Sequence, residues 1–359
     1  MPEEPVGAGS ESNNVISGRG ATINLRGRFE RLEVAQDEEF EAEARNPDTL
    51  YLRDDTQTVI SYNDSPDISF RASLNPYRGC EHGCSYCYAR PYHEYLGFSA
   101  GVDFETRIMV KPSAPELLRK ELASAKWQPQ PLTMSGVTDC YQPVERRLQI
   151  TRRCLQALAE FRNPVGIVTK NHLVTRDSDL LAELAAFESA SVQLSITTLD
   201  AGLARRLEPR ASSPSHRLDA IAKLSAAGIP VGVLVAPVIP GLNEHEIPAI
   251  LAAARQAGAV AAGYTILRLP HGVKDVFSAW LEEHIPEAKE KILTRIRDMR
   301  GGTLHDSRFG TRRRGEGVFA GQIRQLFEVS VQSEGLNQKM SPLSHAAFRN
   351  PGGQQMSLF

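Results

Sequence analysis

The chain has 359 residues, 41% hydrophobic and 23% charged, enough to bury its own core without a disulfide framework. Lys plus Arg total 41 and Asp plus Glu 43; a net charge of −2 argues against a globally basic, sequence-blind nucleic-acid binder. No stretch approaches the roughly 18 continuous apolar residues of a membrane helix, and residues 1–25 lack the apolar core of a secretory signal. The expected compartment is the cytoplasm, where thiols stay reduced.

In chain order, residues 1–58 read as a leader and N-terminal extension, the first 30 rich in Gly, Ser, Asn and acidic residues. From 59 to 270 short apolar runs alternate with helical stretches. Strands are predicted at 131–136, 165–170, 191–197, 231–237 and 260–267, each aliphatic or β-branched and bounded by Gly, Pro or polar residues. Helices are predicted at 145–161, 178–188, 215–227 and 244–257, with apolar positions three and four apart. Gly228 and Gly258 stand where helices should stop. Alternation at this pitch implies right-handed βαβ units and a parallel sheet covered on both faces. Five such units, plus one near a cysteine cluster, suit a partial barrel better than a closed eight-fold one. Residues 271–332 read as a helical, basic segment and 333–359 as a flexible tail.

Three of the five cysteines, Cys80, Cys84 and Cys87, fall within eight residues. Loops that small strain against disulfide closure, so the reading is metal. Gly79 and Gly83 would let the backbone turn around a bulky inorganic group. Three thiolates are one fewer than a closed zinc site or a fully ligated [4Fe–4S] cluster requires. An iron without a protein ligand is open to a substrate. The competing reading is a zinc knuckle whose fourth ligand is His82 or Cys140.

The pattern Cys-x3-Cys-x-aromatic-Cys, with Tyr86 as the aromatic, resembles the signature of the radical S-adenosylmethionine superfamily. NPYRGC at 75–80, SGVTDCYQPVE at 135–145, TKNHLVTRD at 169–177, SITT at 195–198, LEPR at 207–210 and APVIPGLN at 236–243 resemble its spore photoproduct lyase branch. The resemblance implies an α/β fold, a partial (β/α)6 parallel barrel with terminal extensions and a [4Fe–4S] cluster in the loop after the first strand. It further implies S-adenosylmethionine on the fourth iron, an electron from a flavodoxin- or ferredoxin-like donor, and reductive cleavage to a 5′-deoxyadenosyl radical that attacks an unassigned substrate.

Five residues are candidate cofactor contacts. Tyr86 would reach adenine or simply cover the cluster. Asp139, after the second strand, would contact the amino group or ribose, or serve as a turn residue. Lys170 ends a buried strand, where an ammonium needs a partner such as the methionyl carboxylate. Ser195 would bond the ribose or be a satisfied core serine, and Ala236 would offer backbone to adenine. Glu208 and Arg210 would pair with each other or cap the pocket. Cys154 falls on an apolar helical face and reads as core, whereas Cys140 reads as lying near the pocket mouth.

Arg295–Arg314 holds seven Arg and two Asp. It reads either as a nucleic-acid contact or as a loop closing the open side of the barrel. The main reading is therefore a radical S-adenosylmethionine enzyme. The alternatives are a nucleic-acid lesion lyase and a non-catalytic zinc-bound nucleic-acid module.

Overall fold

The structure, a computed structural model, describes residues 18–25, 27–29, 48–68 and 70–351. Most of the expected leader, and the end of the expected tail from 352 onward, lie outside the described residues.

Among the described residues ten strands form two sheets. The small sheet has β1 (Leu50–Arg53), β5 (Arg107–Val110) and β4 (Tyr77–Arg78), in that order. The large one has seven strands, ordered β10 (Ala261–Ile266), β9 (Val231–Val238), β8 (Ala190–Ser195), β7 (Val165–Thr169), β6 (Leu132–Met134), β3 (Ala72–Leu74) and β2 (Ile60–Tyr62). β3 and β6 to β10 are parallel, and only β2 runs antiparallel, against β3. Six parallel strands make the partial (β/α)6 barrel, with β10 left at an open edge.

The eight longer helices are α1 (Ala114–Leu122), α2 (Ile150–Phe161), α3 (Ser178–Ala185), α4 (Pro214–Ala226), α5 (Ile247–Gln256), α6 (Val273–His284), α7 (Lys289–Asp298) and α8 (Gly317–Ser333). Gly228 (φ 76°) and Gly258 (φ 102°) end helices in the left-handed region, as expected. The helix predicted from 145 to 161 is instead two. Gln149 is left-handed at φ 52°, and the Glu145 carboxylate turns inward to accept from Thr151 N at 3.0 Å, Arg152 N at 3.3 Å and the Tyr77 hydroxyl at 2.5 Å. That carboxylate satisfies amides that would otherwise be orphaned at the start of α2.

The core is aliphatic and fills both faces of the large sheet; Leu74, Leu132, Val165, Val192, Leu194 and Val231 are all 0% exposed. α8 packs on it through Ile323, Phe327 and Val331, with the Phe327 ring tilted against Tyr264 of β10, centres 4.6 Å apart. The described part of the expected tail has defined partners. Ala262 N donates to Asn337 O (2.8 Å), Ser344 N to Glu188 O (2.9 Å) and Arg349 N to Phe161 O (2.9 Å), which lays the segment across the N-terminal ends of the strands. A Cβ on Gly232 would stand 2.8 Å from Met340 Sδ, so these residues plug the base of the barrel and leave its C-terminal mouth for chemistry.

Candidate metal centre and its chamber

The cysteine loop leaves β4 within the long connection from β3 to β6. Cys80 and Cys84 are buried, Cys87 half-buried, and all three are free thiols. Gly79 and Gly83 adopt φ of 78° and 65°, where a side chain would be strained. Glu105, itself 0% exposed, sits behind the loop and accepts from Gly20 N at 3.0 Å, Ala21 N at 2.8 Å and Arg90 Nη2 at 2.5 Å. Arg90, also 0% exposed, holds the Cys84 carbonyl through Nε (3.0 Å) and Nη2 (2.8 Å). Gln142 clamps the other side, bonding Glu81 N at 2.9 Å and the Gly79 carbonyl at 3.2 Å. The thiols are thus fixed by their backbones, leaving the sulfurs themselves to a ligand. Burial pushes all three thiols above their ordinary range, followed by Asp139 for Cys80 and Glu208 for Cys84. A bound cation would be needed to hold them as thiolates at neutral pH.

His82 is not free to join them. Its Nδ1 faces Asp139 at 3.4 Å and its Nε2 meets Asn171 at 3.0 Å. Cys140 is not at the pocket mouth, as its sequence position suggested; it is 0% exposed within the core, its N–H bonded to Ser135 Oγ and its carbonyl to Thr151. Cys154 is core, also 0% exposed. Among the described residues no three His, Cys, Asp or Glu gather as a single metal ion would require.

The second half of the site is built at the carboxyl ends of β7, β8 and β9. The Lys170 ammonium donates to Ser195 Oγ (2.7 Å), Thr197 Oγ1 (3.2 Å) and the Ala236 carbonyl (2.9 Å) and lies 3.2 Å from Glu208 Oε1. Ser195 donates to the same Ala236 carbonyl at 3.0 Å, and Thr197 Oγ1 lies as close to it while giving its one hydroxyl hydrogen to Glu208 Oε1. The Tyr86 hydroxyl reaches this hub from the cysteine loop, bonding Glu208 and, at 3.2 Å, Thr197; Lys170 stands 5.7 Å from its ring centre. Four of the five cofactor candidates, Tyr86, Lys170, Ser195 and Ala236, therefore meet around one carboxylate.

Asp139 belongs to a neighbouring node. Its oxygens accept from Tyr141 N (2.9 Å), Lys170 N (2.8 Å) and Thr169 Oγ1 (2.8 and 3.0 Å) as well as facing His82. With its acceptor sites engaged it orients Lys170 and the loop.

Glu208 does not pair with Arg210. Its partner is Arg217 of α4, whose Nη2 donates to Glu208 Oε2; Arg210 lies 3.8 Å from Glu81 instead. Burial alone would raise the Glu208 carboxyl, but Arg217, then Lys170, then the Thr197 and Tyr86 hydroxyls hold it well below the usual carboxylate range. Sequence reasoning passed over Arg217, although Pro214, Arg217, Ala220, Ile221 and Leu224 share the buried face of α4 at helical spacing. A charge inside an apolar stripe is a readable sign of a buried partner.

A family model described as "Radical SAM superfamily" matches residues 74–254. An uncharacterised protein of Mycobacterium tuberculosis is 36% identical over 234 residues, 65% of this chain and 68% of that one. A Pseudomonas phage M6 protein named radical SAM Nα-GlyT isomerase is 27% identical over 186 residues, 50% of this chain and 36% of that one. Among solved structures, spore photoproduct lyase complexed with dinucleoside spore photoproduct superposes with a TM-score of 0.58 at 16% identity, covering 80% of this chain and 81% of that one. At that identity the likeness concerns the fold. No helix among the described residues is long and apolar enough to cross a membrane.

Proposed function

Because the chain belongs to the radical SAM superfamily, we propose that it holds a [4Fe–4S] cluster on Cys80, Cys84 and Cys87 and cleaves S-adenosylmethionine reductively to act on a substrate still unassigned. The observation that carries this reading is the bond from Tyr86 to Glu208 and Thr197, which joins the three-thiol loop to the Lys170 hub in one chamber. The donor set fits: three thiols on a rigid loop, with His82 and Cys140 committed elsewhere, leave one iron open. The zinc alternative is left without its fourth ligand.

When bound, the cluster supplies an electron, from a flavodoxin- or ferredoxin-like donor, that splits the sulfonium into methionine and a 5′-deoxyadenosyl radical. Lys170 would turn one of its three N–H groups from its present acceptors to the methionyl carboxylate, a charge-assisted contact. Ser195 would bond the ribose, and the backbones of Tyr86 and Ala236 would line adenine. Asp139 acts through Lys170 as a positioning residue. The apolar backing of Cys84 and Tyr86 by Leu203, Leu207, Ile239 and Leu267 keeps water from the reacting centre.

The test is anaerobic reconstitution with iron and sulfide, reduction with dithionite, addition of S-adenosylmethionine and chromatography for 5′-deoxyadenosine. Iron, sulfide and product are expected; purified protein carrying zinc and making no product would overturn the reading. Lys170→Met is expected to weaken S-adenosylmethionine binding by about 10- to 100-fold, the loss of one or two charged hydrogen bonds. Equilibrium dialysis on the reconstituted chain measures it, and unchanged affinity would remove Lys170 from the site.

A further inference from the structure

The basic stretch closes the open edge of the barrel. Ile266 N of β10 donates to Arg313 O at 2.9 Å, and Arg313 also bonds Thr265 Oγ1 (3.3 Å) and Asp67 O (2.6 Å). Three of its seven arginines are neutralised locally: Arg295 by Glu244, Arg308 by Asp306 and Glu316, Arg312 by Asp67. Those three tie loops together.

Arg268, just past β10 at the barrel mouth, is different. Among the described residues it has no hydrogen-bond or ion-pair partner, and its Nε is buried and unsatisfied. Its one close aromatic neighbour is Tyr88, the residue after Cys87, whose ring centre lies 5.6 Å from its Cζ. Arg300, 3% exposed, caps the Leu267 and Arg312 carbonyls yet leaves its own Nε unsatisfied, as is His305 Nδ1. The nearby acids are engaged, Asp306 by Arg308 and Thr311, Asp67 by Gly310 N and Arg312. Burial, then Arg312, lowers the pKa of Arg268; burial, then Arg268, lowers Arg300 to about 10. Cations crowded together without an acid cost stability, and an anion would relieve them.

We propose that Arg268, with Arg300, Arg313 and His305, receives a phosphate group of the substrate at the mouth of the chamber. The inference rests on reading the chamber as the reaction site, and it names the substrate's class. A carboxylate would be satisfied by one guanidinium fork; unused donors on three separate side chains suit a phosphate, whose tetrahedral oxygens point in several directions.

Titration calorimetry of the reconstituted native chain, in phosphate-free buffer, would use glycerol 3-phosphate as a monoester, d(TpT) as a diester and acetate as the carboxylate control. Binding of either ester supports the proposal, and the tighter of the two identifies the source. Arg268→Gln should weaken that binding by about 10- to 100-fold, while Arg255→Gln, on an exposed part of α5, should leave it unchanged. Because Arg268 loses only its contact with the Tyr88 ring, and no hydrogen bond or ion pair, its variant should melt close to the native temperature. Absence of ester binding, acetate binding as tight as the esters, an Arg268→Gln chain that binds like the native one, or a melting temperature far below the native one would each overturn the proposal. 5′-Deoxyadenosine formation by the native chain, assayed on the same preparation, judges the chamber separately: product without phosphate binding removes the phosphate receptor alone.

Discussion

Cys84→Ala is expected to eliminate detectable 5′-deoxyadenosine and to strip the reconstituted protein of most of its iron. Two thiols on a fixed loop cannot hold a cluster that already relies on three. The loop itself should survive, because Arg90 grips the Cys84 carbonyl and Ser85 N bonds Leu207 O at 3.0 Å, contacts that the substitution leaves in place. Far-UV circular dichroism and thermal unfolding before reconstitution check this. Cys140→Ala is the matched control. That thiol is equally buried but lies in the hydrophobic core, its main chain held by Ser135 and Thr151, so the variant should keep its iron and its product while losing some stability to the small cavity. If Cys84→Ala retained iron and cleavage, or Cys140→Ala lost its iron, the assignment of the metal ligands would be wrong.

The strands of the barrel were legible because each is a short aliphatic run between turn residues, and burial on both faces is what such a run requires. Their ends shifted by a residue or two, since polar residues such as Lys170 and Thr197 leave the ladder to build the site. The break at Gln149 was not legible: residues 145–161 keep helical spacing, and only the inward turn of Glu145 toward Tyr77 interrupts it. The cysteine cluster was legible from its spacing, Lys170 and Ser195 from their positions near strand ends, and Ala236 only through the resemblance; that the last three meet is a finding of the structure. Their common centre was not legible. Glu208 and Arg217 are nine residues apart, on a turn and a helix, and nothing local pairs them more strongly than Glu208 with Arg210. Arg90 and Glu105 escaped for the same reason, their pairing being fixed by how the loop folds back on itself. The segment around Met340 reads as polar tail because a few apolar residues suffice to close a narrow base.

Glu208→Leu is expected to destabilise the fold by about 3–5 kcal/mol, the cost of leaving a buried charge without its partner. Arg217 is 1% exposed and Glu208 2%, so neither can turn to water. Denaturant unfolding at neutral pH measures the loss, and a value under about 1 kcal/mol would contradict the pairing. The pH dependence has a definite sign. The folded carboxyl lies well below its ordinary value of 4.5, so its stabilisation is complete above that value and is lost progressively as pH falls from it through the folded pKa. The gap between native and variant stability should therefore hold constant from neutral pH down to the ordinary carboxylate range and narrow only below it. Adding Arg217→Met should recover most of the lost stability, because an apolar pair of similar volume carries no desolvation cost. It should not recover S-adenosylmethionine affinity, since Lys170, Thr197 and Tyr86 would still lack the carboxylate that sets their positions. Stability restored without affinity would separate the two roles of Glu208, tying the turn after β8 to α4 and orienting the groups that face the cofactor. Affinity restored along with stability would mean that the hub serves the fold alone.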